Sequence, residues 1–88
     1  MKTAKLTDGT EFEVDEAKLD DWRFIDDLEL ADEGDVFAAS RAITKFLGKE
    51  QKEKLWDKLE DENGQVHIAD GIEAVKELMS SLGDEGKN

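Results

Sequence analysis

Hydrophobic side chains change their repeat once along this chain, and that change constrains the fold more than anything else in it. Over residues 2–14, Ala4, Leu6, Phe12 and Val14 alternate with polar residues around Asp8-Gly9. A period of two marks a half-buried β-hairpin, and Asp-Gly suits the two positive-φ positions of a type I′ turn. From Leu19 onward, apolar residues return every three or four positions, the period of an amphipathic helix. A lone hairpin is marginal in water, so this one has to pack on the helices that follow.

Asp15 or Asp20 is placed to cap a first helix, whose stripe is Leu19, Trp22, Ile25 and Leu28, widened by Phe24 and Ala31. Glu33-Gly34-Asp35 ends it and caps a second helix over 36–47, with Val36, Ala39, Ile43 and Phe46 on one face and Phe37 and Leu47 beside it. Gly48 is a helix stop. A third helix over 49–61 carries Leu55, Trp56 and Leu59. After a turn at Glu62-Asn63-Gly64 and a short extended piece, Val66-His67-Ile68, a fourth helix over 69–82 spaces Ile72, Val75, Met79 and Leu82 as a packing seam. Residues 83–88 offer no apolar anchor and are expected to form a flexible tail. The expected fold class is α+β, mainly α. A single domain, 1–82, packs an N-terminal β-hairpin (2–14) on about four short helices (15–82), followed by a disordered C-terminal tail. Its core is expected to hold Leu6, Phe12, Val14, Trp22, Ile25, Leu28, Ile43, Phe46, Leu55, Leu59, Ile72, Val75, Met79 and Leu82.

Charge narrows the function. The 88 residues carry 24 Asp and Glu against 12 Lys and Arg, a net of −12. Such a surface repels nucleic acid, whose binding is built on Lys and Arg neutralising phosphates, and it repels anionic membranes. Catalysis usually draws on His, Cys, an activated Ser or a metal cluster. Here there is one His (His67), no Cys and no Tyr, so no enzyme, no cofactor and no catalytic residue is expected. Without Cys there is no disulfide framework. The N-terminus lacks an apolar signal core, and no apolar run approaches the ~20 residues of a membrane span. A cytoplasmic protein that acts by contact with another protein is the expectation. The charge is also segregated: residues 15–35 hold ten acids and two bases, whereas residues 36–59 hold six bases and three acids. The acidic first helix is thus suited to lie against the basic middle of the chain, or against a second subunit.

The motifs for other chemistry are incomplete. Asp61-Glu62-Asn63-Gly64-Gln65-Val66 lies between helices as an EF-hand loop does, and Gly64 as its sixth position puts Asp61 third and Asn63 fifth. The first position then falls on Leu59, which cannot bind a cation, and the last on Asp70, shorter than the bidentate Glu the site needs. His67 stands alone where zinc needs three or four N or S ligands. Asp20-Asp21 and Asp26-Asp27 are sequence neighbours, which diverge by about 100° on a helix. No metal-ligating residue is assigned. For partner binding, Trp56 is the favoured anchor, since Trp is enriched at interface hot spots and its helix has few other apolar residues. Phe37, Ile72 and Met79 extend that candidate surface.

Leu6-Thr7-Asp8-Gly9 with Phe12-Glu13-Val14, the acidic segment from Leu19-Asp20-Asp21-Trp22, Leu47-Gly48-Lys49-Glu50-Gln51, Leu59-Glu60-Asp61-Glu62-Asn63-Gly64-Gln65-Val66 and the terminal Lys87-Asn88 together carry a resemblance. The chain resembles the small tail assembly chaperones of long-tailed bacteriophages and prophages. The resemblance implies a protein of the bacterial host cytoplasm that coats the helical tape measure protein, keeps it soluble and helps to recruit tail tube protein. It marks no residue as catalytic or binding, and leaves self-association open. Many such proteins are also made as a longer frameshifted product, and Lys87-Asn88 is compatible with a slippery AAA-AAC run. Two competing readings come from other classes. One is an acidic DNA-mimic inhibitor of a DNA-binding protein, carried by Asp15 to Asp35; the other is a degenerate EF-hand-like calcium module.

Overall fold

The computed structural model describes residues 1–86, with side chains through Leu82. Strands β1 (Lys2–Lys5) and β2 (Glu11–Val14) form an antiparallel hairpin, followed by a 3-10 turn (Glu16–Leu19) and three helices, α1 (Trp22–Asp32), α2 (Val36–Leu59) and α3 (Ile68–Gly86). The fold class is α+β and mainly helical, with three α-helices where four were expected.

The hairpin buries Ala4, Leu6, Phe12 and Val14, as their alternation requires. Its turn differs from the expected type I′. Only Gly9 has a positive φ (94°), Asp8 does not, and the Gly9 amide donates to the Leu6 carbonyl while the Leu6 amide donates to that of Thr10. This is a three-residue loop with glycine at its left-handed bulge position. The Asp8 carboxylate accepts from the Thr10 amide, a bond that rewards Asp without needing it at positive φ.

Three aspartates start the helical elements. Asp15 caps the 3-10 turn, Asp21 caps α1 in place of the expected Asp20, and Asp35 accepts from the amides of Phe37 and Ala38 at the start of α2. Between α1 and α2, the Gly34 amide bonds Ala31 and the Asp35 amide bonds Leu30, a Schellman closure that makes Asp35 serve both helices.

Helix α1 packs through Phe24, whose ring stacks on Phe46 of α2 at 6.5 Å between centroids. That choice of face overturns two core assignments: Trp22 is 80% exposed and Ile25 45%. Both side chains lie on the flank of the helix turned away from Phe24. Two ion pairs, Asp21–Lys45 at 2.6 Å and Asp27–Arg41 at 3.0 Å, join α1 to α2, so the acidic helix does lie on the basic one.

Helix α2 buries Ala38, Ala39, Ala42, Ile43, Phe46 and Leu47 in its first half and Leu55 in its second. The two halves were expected as separate helices. They are two helical segments joined across a kink at Gly48, where the backbone leaves the helix (φ 79°, ψ 165°), so the stop expected at that glycine is present inside α2. The Gln51 side chain bridges the break, its amide nitrogen donating to the Leu47 carbonyl at 2.9 Å.

Gln51 also accepts from the Glu13 amide at 2.7 Å and donates to the Glu13 carbonyl, while Lys54 donates to the Glu11 carbonyl. On the opposite edge of the hairpin, Ser81 Oγ and Glu77 Oε1 of α3 accept from the amides of Lys5 and Thr7. Helix side chains therefore occupy outward backbone groups on both edges of the sheet.

Helix α3 crosses β1 and α2 with Gly71, Ala74 and Leu78 buried. The expected seam of Ile72, Val75, Met79 and Leu82 is only half-buried, because the small residues make the close contact and the larger ones stand beside it. No strand forms at Val66–His67, and Ile68 already opens the helix. The backbone of α3 also takes in 83–86, which was expected as tail; Lys87 and Asn88 lie outside the described residues.

Candidate functional site

Helices α1 and α3 both pack on α2 and leave a trough between them. Ala39, Ala42 and Ile43 of α2 make its floor, Leu28, Ala31 and Asp32 one wall, and Ile72, Val75, Lys76, Met79 and Ser80 the other, enclosing about 390 Å³. The alanines are the reason for its depth: methyl side chains on α2 leave the floor low, whereas Leu or Ile would fill it.

A second hollow of about 280 Å³ continues the first, sharing Ala39, Ile43 and Ile72 with it. Its lining includes Val36, Trp56, Val66, His67 and Ile68. Gly71 lets α3 approach the Trp56 indole closely, since a Cβ at that position would stand 3.2 Å from the ring. Ile68 is 63% exposed at the outer end. The combined surface is an apolar track with polar groups at its margins, the form of a helix-binding groove.

Of the four side chains expected to bind a partner, the fold brings together three. Trp56 and Ile72 line the second hollow and Ile72 and Met79 the first. Phe37 is 76% exposed in the first turn of α2, outside the lining of either hollow. Leu28, Ala31, Ala39 and Ala42 of the groove were missed as site residues. The width of the apolar arc on α3 was the available signal. Gly71, Ala74 and Leu78 are the buried face of the helix, Val75 and Met79 pack partly against the core, and with Ile68 and Ile72 they widen the apolar arc sideways.

The Asp61–Gln65 turn is closed on itself. Asp61 Oδ1 accepts from the amides of Asn63 and Gln65, and Oδ2 lies 2.9 Å from His67 Nε2. The amide bonds from Gln65 and Asn63, with His67 adding to them, hold the Asp61 carboxyl below its ordinary value. Both carboxylate oxygens face these local partners, and among the described residues no three His, Asp or Glu side chains converge as metal ligands.

Half of the acids in the stretch from Asp15 to Asp35 are engaged in folding. Asp15, Asp21 and Asp35 cap helical elements, Asp21 and Asp27 pair with α2, and Glu16 pairs with Lys2 at 3.5 Å. Asp20, Asp26, Glu29, Asp32 and Glu33 are left facing solvent. No described helix is long and apolar enough to cross a membrane.

No family model, no curated protein and no solved structure matches the chain.

Proposed function

We propose that the protein is a tail assembly chaperone of a long-tailed phage or prophage. In the host cytoplasm it covers apolar stripes of the helical tape measure protein, keeps that protein soluble and helps to recruit tail tube protein. The observation that carries this reading is the apolar track between α1 and α3, floored by Ala39 and Ala42 and walled by Leu28, Ile72, Val75 and Met79. A long helical partner with exposed apolar residues needs a reversible cover, and a groove between two helices supplies one in the helix-in-groove mode. The net charge of −12 keeps such a complex dispersed. The DNA-mimic reading loses support from the capping and pairing of half of its acids, because a mimic needs carboxylates free to meet a basic cleft. The calcium reading loses support from the inward-turned Asp61.

The test is co-expression with fragments of the tape measure protein encoded beside this gene. The expected result is recovery of those fragments in the soluble fraction as a complex. The Ala39→Glu variant, which plants a charge in the groove floor, abolishes recovery. Fragments that stay insoluble, or that are rescued equally by Ala39→Glu, overturn the reading.

A further inference from the structure

The two lips of the groove differ in charge. On α1, Asp32 lines the groove next to Leu28, and the helical repeat sets Ile25 and Glu29 beside them on the same flank. Glu29 and Asp32 are exposed, and neither has an ion-pair partner among the described residues. The α2 bases that pair with α1, Arg41 and Lys45, are held by Asp27 and Asp21. On α3, the lip is Lys76 and Ser80. The track from Ile68 to Met79 covers about 16 Å of α3, or three turns of a helix laid along it.

We infer that the groove takes an amphipathic helix of about three turns whose Lys and Arg residues line one flank of its apolar stripe, the flank that lies over Glu29 and Asp32. This rests on the helix-in-groove reading and adds the charge and direction of the partner. Turning such a helix end for end exchanges its flanks, so the basic side meets α1 in one direction and Lys76 in the other. Opposite charges across the rim select the first. A second copy of this chain is a poor occupant. Of its exposed apolar side chains, Trp22 and Ile25 stand among Asp26 and Glu29, which brings acid to acid at the same lip, while Phe37 has Ser40 and Arg41 one turn on and so begins no apolar stripe.

The probes are three synthetic helical peptides of about eighteen residues. They share one Leu/Ala stripe and carry Lys, Gln or Glu along one flank. Binding is read from Trp56 fluorescence in the Trp22→Phe variant, where Trp56 is the remaining indole. The Lys peptide is expected to bind about tenfold tighter than the Gln peptide at low salt, and the Glu peptide weakest. The gap should close at roughly 0.5 M salt, and also at low salt in the Glu29→Gln/Asp32→Asn variant. Equal binding of the Lys and Gln peptides overturns the charge inference and leaves the helix-in-groove reading standing. If no peptide changes Trp56 emission, both fall. A peptide-free dimer that shields Trp56 assigns the groove to a second copy and overturns the inference.

Discussion

Phe24 and Trp22 stand two positions apart on α1 and contribute oppositely to the fold. Phe24 is 3% exposed and stacked on Phe46, whereas the larger Trp22 lies open to solvent. Phe24→Ala should cost about 3–5 kcal/mol, enough to unfold most of a domain whose stability is on the order of 5 kcal/mol. Trp22→Ala should cost less than about 1 kcal/mol. Urea unfolding of the two variants checks both expectations. The sequence contains two overlapping stripes here, Trp22-Ile25-Leu28 and Phe24-Leu28-Ala31, which share Leu28. Periodicity alone cannot choose between them; the position of Phe46, twenty-two residues further along, does. The same ambiguity recurs on α3, where Ile72-Val75-Met79 reads as the stronger seam although Gly71-Ala74-Leu78 makes the closer contact. Size misleads in both places because a hydrophobic residue can line a groove as readily as fill a core.

Helix α2 depends on one backbone position. At φ 79° and ψ 165°, Gly48 occupies a region that only glycine enters without strain. Gly48→Ala should therefore destabilise the protein by roughly 1–3 kcal/mol, although a Cβ there would meet no neighbouring atom. Ala for Gly inside a helix ordinarily stabilises, so the sign of the change in thermal midpoint distinguishes the two cases. Gln51→Ala removes the bridge over that break and the bonds to Glu13 together; a loss of about 1–2 kcal/mol is expected. Amide exchange should locate the loss, with Glu13 losing protection ahead of the buried face of the hairpin. The hairpin, the helical segments and the aspartate caps were legible because each is specified within a few residues. The break at Gly48 was legible too, as the stop between two helical segments. The groove was not, because it exists only once α1 and α3 are set apart on α2.

At the scale of the whole molecule, acidic side chains tie distant segments together, and their titration contributes to the loss of stability in acid. The Lys58 ammonium 2.6 Å away, with the Thr10 amide, lowers Asp8 from 3.8 to about 2. Lys45 and the Arg23 amide lower Asp21, and the turn amides lower Asp61. A carboxyl depressed in the folded state stabilises that state fully above its unfolded value, and the contribution fades as pH falls through the folded value. The thermal midpoint should therefore show no loss from these groups above about pH 4 and should fall as pH drops toward 2. Asp8→Asn should lower the midpoint at neutral pH and flatten part of the acid decline; an unchanged slope would refute the role given to the Lys58 pair. Ion pairs thus join strand loop, first helix and long helix without any buried charge. The occupied strand edges have a separate consequence. A two-stranded ribbon with bare rims invites passing chains to add themselves as further strands. Here Gln51, Lys54, Glu77 and Ser81 already answer several of those hydrogen bonds, so in a crowded solution of this protein fibre growth along the ribbon meets helix side chains on both rims.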